Sequence, residues 1–214
     1  MSASPDPAGA LILASASPRR REMLERVGVS LDVRPADIDE TELPGEAPAA
    51  YVARIARAKA DAIARSLGAA GGAGGGGAWV LAADTTVTVG GAILGKAATP
   101  DEAAAMLRRL SGRAHQVMTA FVLLGPGPGQ RRERVIATEV EMIELDEATL
   151  ADYVASDDWR GKAGAYAIQG IAAALVREVR GSVTNVIGLP LAEVLEALRE
   201  LGGPRARFAA GSAA

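Results

Sequence analysis

Ala10-Leu11-Ile12-Leu13-Ala14-Ser15-Ala16-Ser17-Pro18-Arg19-Arg20 decides the fold class. Its first five residues form a short, uninterrupted apolar run, the pattern of a strand buried on both faces. Ser17 suits a helix N-cap and Pro18 the first helical position, and Met23, Leu24 and Val27 recur at helical spacing up to a stop at Gly28. Leu31 to Arg34 then reads as a second strand. A buried strand, a tight loop, a helix and another strand predict an α/β protein.

The pattern continues outward from this unit. Residues 48–67 predict a long helix with Tyr51, Ile55, Ala58, Ala62 and Ile63 on its inner face and Arg54, Arg57, Lys59 and Asp61 turned away. Gly68 to Gly77 is nearly pure Gly and Ala and reads as a flexible surface insertion without a function. Trp79 to Ala83 predicts another buried strand ending at Asp84, followed by a hairpin with arms Thr86–Val89 and Ala92–Leu94 about Gly90-Gly91. Thr99-Pro100-Asp101-Glu102 opens a helix over 103–110, and Asp146-Glu147 opens one reaching about Ala155. Between them lie two β segments, His115–Leu124 and Arg134–Leu145. A strand at Leu175–Val179 and a helix at Leu191–Leu201 complete the series. The expectation is one α/β domain over 10–202, a mixed twisted sheet with flanking helices, with disorder expected in 1–9 and 203–214.

Composition narrows the function. Of 214 residues, 49% are hydrophobic and only 3% aromatic, so the core must be built from aliphatic side chains. The net charge of −3 leaves no excess of cations for a nucleic-acid polymer, so any anionic ligand must be held by locally clustered basic residues. There is no cysteine, which removes disulfides and thiolate chemistry, and His115 is the single histidine. No secretory signal is read at Met1 and no apolar run approaches membrane-spanning length, so a cytoplasmic protein without a membrane partner is expected.

Three stretches can carry chemistry. Ser15 to Arg20 leaves a strand and enters a helix N-terminus, where free N–H groups, the hydroxyls of Ser15 and Ser17, and Arg19 and Arg20 suit a phosphate. The same residues also read as an ordinary capped helix with solvated arginines. Asp84-Thr85-Thr86 places a carboxylate at the expected carboxyl end of a buried strand, able to bind a metal or orient water, or simply to make a turn. Asp39, Glu40 and Glu42 offer oxygen ligands for a hard cation, or a solvated acidic loop. Gly91 to Lys96 is no P-loop, because only three residues separate its glycines and Ala97 stands where a hydroxyl is needed, though Lys96 remains able to touch a phosphate. His115, among alternating apolar residues, reads as structural.

The ensemble resembles the Maf family of nucleoside triphosphate pyrophosphatases over roughly residues 10–200. The matching stretches include Leu13 to Arg20, Ile38-Asp39-Glu40-Thr41, Ala58-Lys59-Ala60, Ala83-Asp84-Thr85 and Leu94-Gly95-Lys96. They continue through Ser111 to Thr119, Lys162 to Gly170 and Asn185 to Leu191. The resemblance implies two lobes around a central cleft, similar to the inosine triphosphatase fold, often as a homodimer. It makes Asp84 the proton acceptor, and places Arg19, Thr85 and Gln169 where the family sets nucleotide preference. Ile168-Gln169-Gly170 with Thr85 looks like the branch acting on dTTP and UTP rather than the one acting on 7-methyl-GTP. Two departures are Ala97 for the family's usual Pro and Asp158-Trp159 for its common Glu-Pro.

These assignments combine into one expected site. Ser15, Ser17, Arg19, Arg20, Lys59, Thr85, Lys96 and Gln169 bind the nucleoside triphosphate. Asp84, with Glu40 or Asp39, holds a divalent cation, Mg2+ or Mn2+. A non-catalytic nucleotide-binding regulator of cell division and a phosphohydrolase releasing orthophosphate are the rival readings of the same residues.

Overall fold

The computed structural model describes residues 9–70 and 78–208. The opening unit is present: Leu11–Leu13 (β1) is wholly buried, Pro18–Arg26 (α1) starts behind Ser17, and Leu31–Val33 (β2) lies parallel to β1. In chain order there follow Pro48–Ala70 (α2), Trp79–Val89 (β3), Ala92–Leu94 (β4), Pro100–Leu110 (α3), Ala114–Leu124 (β5) and Arg131–Met142 (β6). Glu147–Ala155 (α4), a 3-10 turn at Ile171–Leu175, Val176–Arg180 (β7), Val183–Ile187 (α5) and Leu191–Leu201 (α6) complete it. The described strands form one seven-stranded sheet in the order β2-β1-β3-β5-β6-β7, with β4 folded back on β3. The first three run parallel and β5, β6 and β7 antiparallel, so the mixed α/β sheet is as expected.

The strand expected to end at Asp84 does not end there. β3 is continuous for 11 residues, paired with β5 from Val80↔Leu124 to Thr88↔Gln116. Polar residues at 84–86 read as a terminus only while their partners are unknown. The shorter β1 leaves the sheet beside Leu81, so Asp84 still lies just beyond the carboxyl end of a parallel neighbour. The predicted hairpin forms with the residues at both ends of Gly90-Gly91 in register, and both glycines have positive φ, which such two-residue turns require.

Side chains alternate across a strand, and β3 uses this to serve two faces. Trp79, Leu81 and Ala83 enter a core with Leu24 and Leu198, on the α1 and α6 side. Val80 and Ala82 enter one with Val52, Ala56 and Ala60 of α2. Further along, Val87 joins a third core with Leu107 of α3 and Leu150 and Tyr153 of α4. Asp84 and Thr85 sit where the first two cores give way to the third. By the same alternation they point to opposite sides, Asp84 toward α2 and Thr85 toward α1.

The inner face of α2 is rotated from the expected one. Its buried residues are Val52, Ile55, Ala56, Lys59, Ala60 and Ile63, an i, i+3, i+4 stripe that includes Lys59. Tyr51, Ala58 and Ala62 are only partly buried. A rule that turns charge outward fails here because the lysine has acidic partners inside.

Gly68 to Ala70, assigned to the insertion, belong to α2, and the remainder of that insertion lies outside the described residues, as do 1–8 and 209–214. Within the stretch expected as a loose tail, the Arg207 N–H donates to the Val27 carbonyl at 2.8 Å, and Gly203 and Pro204 are buried. Gly28 (φ 74°) permits that approach, since a Cβ there would lie 2.2 Å from the Arg207 carbonyl oxygen. No helix among the described residues is long and apolar enough to cross a membrane.

Candidate active site

A cleft of about 630 Å³ opens between the loop entering α1, the middle of β3, the acidic loop before α2 and the segment 160–169. Ten of the eleven residues assigned to ligand, metal or catalysis line it: Ser15, Ser17, Arg19, Arg20, Glu40, Lys59, Asp84, Thr85, Lys96 and Gln169.

 Asp39 lies outside the cleft. The Asp39 carboxylate instead accepts the N–H of Thr41 at 2.8 Å and its hydroxyl, and these bonds hold it below the usual carboxylate range. It closes an exposed local turn while its neighbour Glu40 faces the cleft, so Asp39 is withdrawn as a metal ligand.

At the centre, the Lys59 ammonium lies 2.8 Å from Asp84 Oδ1 and 2.7 Å from Glu40 Oε1. Lys59 and Asp84 side chains are each 10% exposed, so this is a nearly buried ion pair with one outer carboxylate. α2 also fixes the acidic loop. The Tyr51 hydroxyl donates to the Glu40 carbonyl at 3.0 Å, and Arg54 donates to the Thr41 carbonyl and pairs with Glu46. Burial, with the charges of Asp84 and Glu40, pushes the Tyr51 phenol up to about 12, so it stays a donor.

Two carboxylates converging on one cationic point fit a hard cation that takes its remaining ligands from water and phosphate oxygens. Among the described residues there is no cluster of three acidic or histidine side chains.

Arg20 differs from the free phosphate ligand expected. Its guanidinium is buried and donates to the Gly188 carbonyl (2.7 Å), the Ala83 carbonyl (2.9 Å), Ser15 Oγ (3.0 Å) and Thr85 Oγ1 (3.0 Å). Four of its five N–H groups are thereby used, and it ties α1 to β3 and α5. Gly188 (φ 126°) supplies the backbone conformation that turns its carbonyl to Arg20 and Thr85. Thr85 also bonds Thr119, whose hydroxyl reaches the Asn185 carbonyl. Arg19 and Lys96 line the cleft with no ion pair among the described residues, which leaves them available to an anion. The hydroxyl of Ser17 makes no capping bond.

Tyr51, Arg160, Lys162, Tyr166 and Gly188 line the cleft wall as well, beyond the residues assigned from sequence. Lys162 and Tyr166 belong to the stretch Lys162 to Gly170 already singled out, which was the available signal. Arg160 packs its guanidinium over the Trp159 ring at 4.5 Å, and nothing in its sequence context marks it.

His115 is structural in the sense expected. It is buried, and its Nε2 lies 2.7 Å from the Tyr166 hydroxyl. Burial depresses its pKa to about 4. The unfolded chain then binds the proton more readily, so the contribution is full above the unfolded pKa of about 6.5 and is lost as pH falls toward 4. Urea unfolding between pH 7 and 4 is expected to show a loss on the order of 3 kcal/mol from this group, and His115→Gln is expected to flatten that slope. An unchanged slope in the variant assigns the acid sensitivity elsewhere.

A profile of the family described as "Maf-like protein" matches residues 10–201. The dTTP/UTP pyrophosphatase of Anaeromyxobacter dehalogenans (strain 2CP-1) is 49% identical over 91% of this chain and 95% of its own length. Those of Syntrophus aciditrophicus (strain SB) and Rhodopseudomonas palustris (strain HaA2) are 46% and 49% identical, over 90% and 91% of this chain and 90% and 93% of their own lengths. A match along nearly the whole described fold, the cleft included, means that the chain belongs to the Maf-like protein family.

Proposed function

We propose that the chain hydrolyses dTTP and UTP to the nucleoside monophosphate and pyrophosphate, with Asp84 as proton acceptor. The observation that carries this reading is a nearly buried carboxylate, paired with Lys59, inside a cleft that also holds unpaired Arg19 and Lys96. The names of the relatives supply the substrates and the leaving group.

Asp84 Oδ takes the proton from a water attacking the α-phosphorus. The bond from that phosphorus to the bridging oxygen breaks, and negative charge collects on the pyrophosphate. Arg19, Lys96 and the first-turn N–H groups of α1 face that charge and stabilise it. Arg20 acts behind them, holding Ser15, Thr85 and the Gly188 carbonyl in place. Gln169, exposed at the cleft and without a hydrogen bond among the described residues, faces the base. A divalent cation, Mg2+ or Mn2+, held by Asp84 and Glu40, supplies charge neutralisation and an acidified water when bound.

The test is product identity across dTTP, UTP, CTP, GTP and 7-methyl-GTP with the purified protein. Pyrophosphate with dTMP or UMP, formed fastest from dTTP and UTP, is the expected result. Orthophosphate with a nucleoside diphosphate points to a different hydrolase, and no turnover points to a binding protein.

A further inference from the structure

Lys59 stands where a cation shared by Asp84 and Glu40 has to stand. Its Nζ is within 2.8 Å of both carboxylates, and its side chain, on the inner stripe of α2, is buried. An ammonium and a divalent ion cannot occupy one point, and their mutual repulsion at such separations is strong in a partly dry site. We infer that Lys59 is a resident counter-ion that the divalent cation displaces, so that the nucleotide-free protein binds metal poorly and takes it up together with the triphosphate. This inference rests on the hydrolase reading above and deepens it.

Several observations bear on it. Two carboxylates that share one ammonium keep a net charge of −1, which is weak attraction for a bare divalent ion. No third acidic or histidine side chain is at hand among the described residues to strengthen it. A triphosphate supplies the missing negative charge and oxygen ligands, and gives the displaced ammonium a new partner. The displacement needs only a rotation of a four-carbon side chain, because Glu40 is already fixed through Tyr51 and the loop bonds of Arg54. Lys59 thus has two successive partners: the carboxylates before substrate arrives, and phosphate oxygens after it.

The probe is Mn2+ alone, its binding to nucleotide-free protein followed by electron paramagnetic resonance, with wild type, Lys59→Met, Lys59→Arg and Lys96→Met compared. If the ammonium occupies the carboxylate pair in nine molecules of ten or more, its removal tightens Mn2+ binding by about tenfold or more. Lys59→Met is expected to show that gain, together with a larger Mn2+-induced rise in Tm. Lys59→Arg, which keeps a cation beside the carboxylates, is expected to stay weak. Lys96→Met removes a cleft charge that contacts neither carboxylate, and less than about a threefold change is expected from the screened field alone. An unchanged or weaker Mn2+ affinity in Lys59→Met overturns the inference, as does an equal gain in Lys96→Met, which makes the effect a general field. Circular dichroism of each variant excludes unfolding as the cause. Pyrophosphate release by the wild type is measured in parallel: its absence defeats the hydrolase reading while leaving the Mn2+ comparison to decide on Lys59.

Discussion

Asp84→Asn is expected to lower kcat for dTTP by at least about a hundredfold, the lower end of what a positioned base contributes, with the fold retained. The substitution keeps the shape of the side chain and an oxygen that accepts from Lys59, so the core around β3 is undisturbed. It removes the one property the chemistry needs, a group that takes a proton at neutral pH. Some loss of stability is expected, because among the described residues Lys59 is left with Glu40 as its only ion-pair partner in a site where its side chain is 10% exposed. Stability and turnover are therefore measured together, by urea titration and by pyrophosphate release at saturating nucleotide. A variant that folds and keeps more than about a tenth of wild-type kcat, a barrier change under ~1.4 kcal/mol, removes Asp84 from the role of base.

Asp84 also shows what a linear sequence conceals. Local patterns carried the opening strand, helix and strand, the Gly90-Gly91 hairpin and the capped helix after Thr99, because each is set by neighbours a few residues away. The continuity of β3 through Asp84 was not legible, since it depends on pairing with β5, some thirty-five residues further on. The phase of α2 was misread for a related reason. Lys59 breaks an otherwise apolar stripe, and the rule that charges face water turned the helix the wrong way. The exception to that rule lay at the site itself, where a buried charge has charged partners.

The other gaps follow the same logic. Asp39 and Glu40 are indistinguishable as adjacent acids, and only their bonding separates a turn-closing side chain from one aimed at Lys59. Arg19 and Arg20 looked alike as phosphate ligands. The contact that sets Arg20 apart joins it to Gly188, 168 residues away. Such partners define which arginine remains free to meet an anion, and no window of sequence contains them both. Ten of the assigned residues share one cleft and Asp39 does not, and what each can do there depends on distances that no stretch of sequence contains.

Gln169→Glu is expected to reverse base preference and so gives the second large effect. The Gln169 amide has one donor and one acceptor to offer, matching O4 and N3–H of uracil or thymine, and it makes no hydrogen bond among the described residues that competes. An ionised Glu only accepts, so it leaves O4 facing a carboxylate while still suiting guanine, which presents N1–H and an amino group. An unmatched polar group in a closed site can cost 10⁴-fold or more. Gln169 is exposed at the cleft in the unliganded protein, however, so water competes and a smaller loss is expected. An unsatisfied partner at about 1–3 kcal/mol corresponds to roughly 5-fold to 150-fold in kcat/KM for dTTP and UTP, with GTP gaining relative to both. The measurement is kcat/KM for dTTP, UTP, CTP and GTP on wild type and variant. A uniform fall across all four bases means that Gln169 supports the cleft without reading the base. A selective fall for the two pyrimidines bearing O4 and N3–H, with CTP and GTP spared, places the reading of the base at this one amide.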